Sequence, residues 1–211
     1  MKRNDSKAYL LITVFCTAFI LFSALFVVLP NEEEAQIYDD VIRLHVIAAS
    51  DGEFDTAVKI LVKDAVLEEI SKIYEERPVS GDTAVERCEN ADSLLCENVG
   101  RIEAAASECA RGFSISDVSV SLTSDRFPEK TYGDITLPAG YYRSVTVKIG
   151  EAQGHNWWCV VYPGICLSPS SPAVVLKNTG FTNDQIGILQ GGKGYVVKFK
   201  LLEIINGLFG R

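Results

Sequence analysis

The chain has 211 residues, six cysteines and a formal charge of −8, from 20 basic and 28 acidic side chains. That length holds one ordinary domain plus an appendage. Setting aside Lys2, Arg3, Lys7 and Asp5 leaves 17 basic against 27 acidic side chains, a charge of −10. Such a surface repels phosphate backbones and anionic headgroups, which argues against nucleic acid as a partner.

The appendage comes first. Ala8 to Leu29 runs 22 residues without a charge, behind Lys2, Arg3 and Lys7. That suits a helix crossing a hydrocarbon core, with its basic flank in the cytoplasm. A cleaved signal peptide competes with this reading, although its apolar region is usually shorter and ends in a small-x-small site. Residues 1–30 are therefore expected to be a membrane anchor or signal peptide, 31–40 an acidic stalk, and 41–211 an exported domain. Cys16 falls in the apolar segment, leaving five cysteines outside it. An odd count argues against a fully paired disulfide framework.

The run VIRLHVIAAS, Val41 to Ser50, alternates as a strand. Ile42, Leu44, Val46 and Ala48 line one face, and Arg43 and His45 share the other with Val41 and Ile47. Ser50 and Glu53 have capping-box spacing. The helix they should start carries Phe54, Val58, Leu61, Ala65 and Ile73 at three- and four-residue steps, with Pro78 beyond its end. A second helix is expected from Asp82 to Arg111, stopping at Gly112. Its seam of Val85, Cys88, Leu95, Val99, Ile102, Ala106 and Cys109 is interrupted only by Asp92. Cys88 and Cys109 on that stripe read as core residues.

The period then changes to two. Val118, Val120 and Leu122 alternate with Ser119, Ser121 and Thr123, the pattern of a strand with one wet face. Phe127 to Gly140 reads as a loop with turns at Tyr132-Gly133 and Pro138-Ala139-Gly140, and Tyr141 to Ile149 alternates again. Trp157 to Tyr162 is apolar at every position, so both faces should be covered, as in an interior strand. Residues 168–193 are rich in Ser, Pro, Asn and Gly and read as weakly structured; Tyr195 to Ile205 reads as a closing strand. The fold class is α+β: two helices packed on an antiparallel sheet.

Chemistry is sparse. The stretch GHNWWCVVYPGIC, Gly154 to Cys166, concentrates what there is. His155 with Cys159 would suit a thiol enzyme, but Cys166 stands close enough in sequence to oxidise that thiol. His155, Cys159, Cys166 and His45 could form a zinc set, yet the close Cys-x2–4-Cys pair of structural sites is missing. Trp157 and Trp158 invite a sugar-stacking role, as in a cell-wall-binding module, but neighbours on a strand face opposite ways. Cys159 and Cys166 flank a Pro163-Gly164 turn across which a disulfide could close. The paired acids, Asp39-Asp40 and Glu68-Glu69 among them, are expected on the stalk or on solvated helix faces. No nucleotide-binding or hydrolase motif occurs in a suitable context. Neither a catalytic set nor a cofactor or metal site emerges, and an interaction module is the reading that remains.

Three stretches carry a resemblance: VIRLHVIAASD (Val41 to Asp51), VKDAVLEEI (Val62 to Ile70) and FPEKTYGDITLPAGYYRSVTVKIGEAQGHNWWCVVYPGICL (Phe127 to Leu167). Together they resemble the stage II sporulation protein R family, in order, over roughly Ile37 to Leu167. The tail YVVKFKLLEII is also similar. The resemblance implies a signal exported across the forespore membrane into the intermembrane space of a sporulating cell. There it would activate a membrane-embedded aspartic protease, which cleaves the precursor of sigma-E in the mother cell. On that reading Arg43, His45, Trp157 and Trp158 are the residues expected to contact the partner or to build the contacting surface. The spacing of Cys159 and Cys166 matches the family and favours a bridge. Ala49 departs from it, standing where members commonly carry Asn.

Overall fold

The computed structural model describes residues 11–22, 36–191, 204, 207 and 208. Residues 11–22 are helical, and among the described residues no helix is long and apolar enough to cross a membrane. The rest of the expected anchor lies outside the described residues, as does the expected closing strand at Tyr195–Ile205 apart from Ile204, which is helical rather than extended.

A 3-10 turn, Gln36–Tyr38, leads into β1, Ile42–Ile47. Three helices follow: α1 (Glu53–Glu76), α2 (Ala84–Glu97) and α3 (Val99–Arg111). Then come β2 (Val118–Phe127), the short strands β3 (Lys130–Tyr132) and β4 (Ile135–Leu137), β5 (Gly140–Ile149) and β6 (Asn156–Tyr162). Two short helices follow, α4 (Pro172–Asn178) and α5 (Asn183–Leu189).

The fold is α+β, but its main sheet is mixed, in the order β2-β5-β1-β6. β1 pairs parallel with β5, Leu44 opposite Val145, and antiparallel with β6, Leu44 opposite Cys159. Three helices and β2 intervene between β1 and β5, a crossover long enough to bring the second strand back in the same direction. The expected interior strand is instead an edge of this sheet: β6 pairs with β1 alone among the described strands, and its apolar run is explained by cover on both faces.

On one face, Ile42, Leu44, Val46, Val145, Val147 and Val161 pack against the helices. α1 contributes Val58, Val62, Val66, Ile70 and Ile73; α3 contributes Ile102, Ala106 and Ala110. The α1 stripe is therefore rotated from the expected one, since Phe54 and Leu61 are largely exposed. Two apolar rows compete on this helix, and the valines spaced four apart win because they meet the sheet. Nor does the Ser50–Glu53 box form: α1 is capped by Gly52 without a side-chain bond, and Ser50 Oγ instead donates to Asp55 Oδ2 at 2.5 Å.

The expected helix from 82 to 111 is two helices. Asn98 leaves helical geometry and caps both, its side-chain amide donating to the Leu94 carbonyl at 2.9 Å. Apolar periodicity runs through the break unchanged, so only the Asn98–Gly100 chemistry marks it. Cys88 is buried, as its place on the seam predicts, while Cys109 is only half-buried.

The opposite face is covered by a smaller layer holding Ile135, Leu137, Leu176, Ile186 and Leu189. Here β3 and β4 form a hairpin through the turn Gly133–Asp134, with Gly133 in the left-handed region at φ +54°. Asp134 anchors the hairpin tip, accepting from the Ala173 amide and from Gln190 Nε2, both at 3.3 Å. Residues 168–193, expected to be weakly structured, carry α4 and α5. Ser171-Pro172 starts the first, and a complete Thr182–Gln185 capping box starts the second.

Candidate functional site

Odd positions of β1 point into this second face. Arg43, on the β1 face it shares with Val41, His45 and Ile47, is completely buried. Its Nη2 donates to Tyr132 Oη at 2.8 Å, and its guanidinium carbon lies 4.2 Å from the Phe127 ring centre and 4.9 Å from that of Tyr142. Aromatic faces stabilise a desolvated cation by up to about 2 kcal/mol each. Nε and Nη1 have no hydrogen-bond partner among the described residues. Arg43 thus builds the surface from beneath, fixing the hairpin to the middle of the sheet.

Two residues on, the same row turns polar. The His45 side chain is 11 % exposed. Its Nδ1 donates to Asp125 Oδ2 at 3.2 Å, and its Nε2 is 2.7 Å from Asn156 Oδ1. The ring stacks on Trp158, centroids 3.9 Å apart and 26° from coplanar. Asp125 Oδ2 also accepts from Ser144 Oγ at 3.2 Å and, at close range, from Thr146 Oγ1. Burial acts to raise the Asp125 carboxyl, but the hydrogen bonds from Thr146 and His45 outweigh it and hold the group below its ordinary pKa. Four strands meet at this cluster: His45 from β1, Asp125 from β2, Ser144 and Thr146 from β5, Asn156 and Trp158 from β6. Asn156 is exposed and Trp158 half-buried, so the cluster reaches the surface.

Trp157 points the other way, as alternation predicts. It packs against the helix-side core with Lys63 Nζ 4.7 Å from its ring centre. The two tryptophans form no common platform. Cys159 and Cys166 are joined as a disulfide, with Cα atoms 6.3 Å apart. The Cys166 amide donates to the Val160 carbonyl at 3.2 Å, closing the turn back on β6. His155 is far from this chemistry in function: its ring pairs with Asp51 at 2.6 Å in an exposed loop. Its carbonyl accepts from the buried Lys59 Nζ at 2.9 Å. A thiol pair of Cys159 and His155 is therefore not assembled. His45, His155, Cys159 and Cys166, the four residues weighed above as a zinc set, are likewise spread over three separate arrangements, and among the described residues no three His, Cys, Asp or Glu side chains are grouped to hold a metal.

Of the four residues expected to contact a partner, the geometry brings His45 and Trp158 to one surface with Asp125 and Asn156. Arg43 lies under it and Trp157 behind it. Sequence reading missed Asp125, Asn156 and the aromatic ring around Arg43. The parity of Ser119, Ser121 and Thr123, continued two more steps, reaches Asp125 and Phe127 and would have placed those two on this face; nothing in the local pattern points to Asn156, Tyr132 or Tyr142.

The sequence profile of the stage II sporulation protein R family matches residues 38–171. The chain belongs to that family. It is 31% identical over 168 residues to stage II sporulation protein R of Bacillus subtilis (strain 168), covering 75% of this chain and 71% of that protein. No solved structure matches it. The region shared with stage II sporulation protein R relatives spans β1 to the turn before α4, which contains every residue of the His45 cluster and both cysteines of the bridge.

Proposed function

We propose that this chain is an exported signalling protein of sporulation that activates a membrane-embedded aspartic protease and so triggers processing of the sigma-E precursor in the mother cell. Membership in the stage II sporulation protein R family carries the reading. The apolar N-terminal segment behind Lys2, Arg3 and Lys7 supports export, as anchor or as signal peptide. The His45–Asp125–Asn156–Trp158 cluster supports a recognition role: four strands converge to hold one small, partly exposed surface rigid, which lowers the ordering cost of binding. On this reading Arg43 and Trp157 support the surface from below, and the peptide-bond chemistry resides in the partner.

The test is reconstitution in non-sporulating cells. This chain, directed for export, is co-expressed with the matching membrane protease and the sigma-E precursor, and cleavage is followed by immunoblot. Cleavage that requires both export and this chain is the expected result. No cleavage, with the chain exported and folded and the protease shown to be competent, rejects the activator role.

A further inference from the structure

Both edge strands of the main sheet carry a device that engages outward main-chain groups. On β2 the Val120 amide donates to Glu103 Oε2 of α3 at 3.0 Å. On β6 the disulfide turn folds back: the Val160 carbonyl accepts from the Cys166 amide, and the Val160 amide donates to Cys166 Sγ, both at 3.2 Å. That cover reaches Val160 and leaves the first half of β6 open.

The register shows which groups are left. Leu44 pairs with Cys159 and Val46 with Trp157, and the Ala48 amide donates to the His155 carbonyl at 3.4 Å in the same register. Odd residues of β6 therefore direct their main chain at β1. Even residues direct theirs away from the sheet, as Val160 does, so the amides and carbonyls of Asn156 and Trp158 line the open edge. Among the described residues these groups have no hydrogen-bond partner. Asn156 is exposed, and the side chains of both residues belong to the His45 cluster. The open edge and the proposed contact surface are thus continuous.

We infer that the Asn156–Trp158 edge takes an extended segment of the membrane protease as an added strand. Donors and acceptors alternating at strand spacing are matched by another extended main chain, which commits the occupant to a polypeptide. A second copy of this chain would set one formal charge of −8 against another, which works against self-pairing. The inference rests on the proposed recognition of the protease and gives it a form. Main-chain bonds to Asn156 and Trp158 hold the segment, and its alternate side chains reach the face that carries His45 and the Trp158 ring. The turn at Cys166 stops the pairing at Val160, so the segment is short.

The full chain in detergent micelles is titrated with the matching membrane protease, alongside the cleavage assay described above. Amide hydrogen exchange at Asn156 and Trp158 should be fast in the free chain and slow at least tenfold in the complex. Two substitutions then separate main chain from side chain: Asn156→Ala keeps the outward amide, and Asn156→Pro removes it. Thermal melts check that both are folded, and Asn156→Pro should bind at least tenfold more weakly than Asn156→Ala. Binding and cleavage without slowed exchange, or with both folded variants weakened equally, would overturn the added strand and leave the activator role standing. Absence of both binding and cleavage would reject the two together. Slow exchange already in the free chain would mean that the chain covers its own edge. Slowing that grows with the concentration of the chain alone would mean pairing with a second copy; either result overturns the assignment to the protease.

Discussion

On the helix side of the sheet, β1 buries Ile42, Leu44 and Val46 among aliphatic residues of α1 and α3; on the other side the same strand sets Arg43 among aromatic rings and His45 between two oxygens. The first face needs only apolar groups of the right volume. The second has to compensate each polar group individually, and a change there acts through charge and hydrogen bonding more than through volume. Stability should therefore rest mainly on the helix face, and recognition mainly on the other.

The largest effect should separate the faces directly. Leu44→Ala removes fully buried volume and is expected to cost about 3 kcal/mol in urea unfolding. Arg43→Met, on the adjacent position and equally buried, should cost nothing measurable or stabilise, because an apolar side chain of similar size replaces a buried cation lacking a carboxylate partner. A loss at Arg43 as large as that at Leu44 would break the comparison.

The disulfide is the next step down. Its short loop predicts a contribution of about 2–3 kcal/mol in the chain-entropy model. Cys159→Ala and Cys166→Ala should lose that amount equally, and reduction of the wild type should match both. Unequal losses would point to a separate role for one sulfur.

Two carboxylates then test the electrostatics with opposite signs. Burial chiefly, and also the neighbouring Asp39, raise Asp40 to about 6, against the opposing Gln185 hydrogen bond. Asp40→Asn should accordingly stabilise by about 2 kcal/mol at pH 7.5, and the gain should vanish below about pH 4, where the carboxyl is protonated in both folded and unfolded chains. Asp125 is held below its ordinary pKa, so its contribution is complete above about pH 4 and is lost as pH falls through the lowered value. Asp125→Asn should cost about 1–2 kcal/mol at pH 7.5, with the deficit closing in acid. Melting curves of both variants from pH 2.5 to 8 would show the crossing.

The smallest change in stability should carry a large change in function. Asn156 is exposed, so Asn156→Ala should shift stability by about 0.5 kcal/mol or less. In the reconstituted assay it should reduce precursor cleavage severalfold. Unchanged cleavage would remove this cluster as the contact surface.

The sequence made local periodicity legible and left sheet order hidden. Alternation in VIRLHVI placed Leu44 and Arg43 on opposite faces correctly, and the same rule separated Trp157 from Trp158. Burial of Arg43 was not legible, because its cover comes from Phe127, Tyr132 and Tyr142, roughly a hundred residues away. Asn98 shows the reverse failure: a break that apolar periodicity conceals and a capping residue reveals. In residues 168–193 the composition suggested a loop, yet Thr182 and Gln185 sit at the spacing that starts α5. Composition was the weaker guide there, since two short helices need little intrinsic propensity once Leu176 and Leu189 are buried.

The position of β1 also bears on the order in which the protein assembles itself. Ile42–Ile47 is the earliest of the described strands, yet its partners are Gly140–Ile149 and Asn156–Tyr162. A chain that emerges N-terminus first, from a ribosome or through a membrane, must hold β1 unpaired until nearly a hundred further residues have followed. Helices α1 to α3 can form meanwhile, but their apolar stripes have no sheet to cover, and pairing so distant in sequence is slow. The surface built on His45, which needs β1, β2, β5 and β6 together, therefore cannot exist until the chain has been delivered through β6.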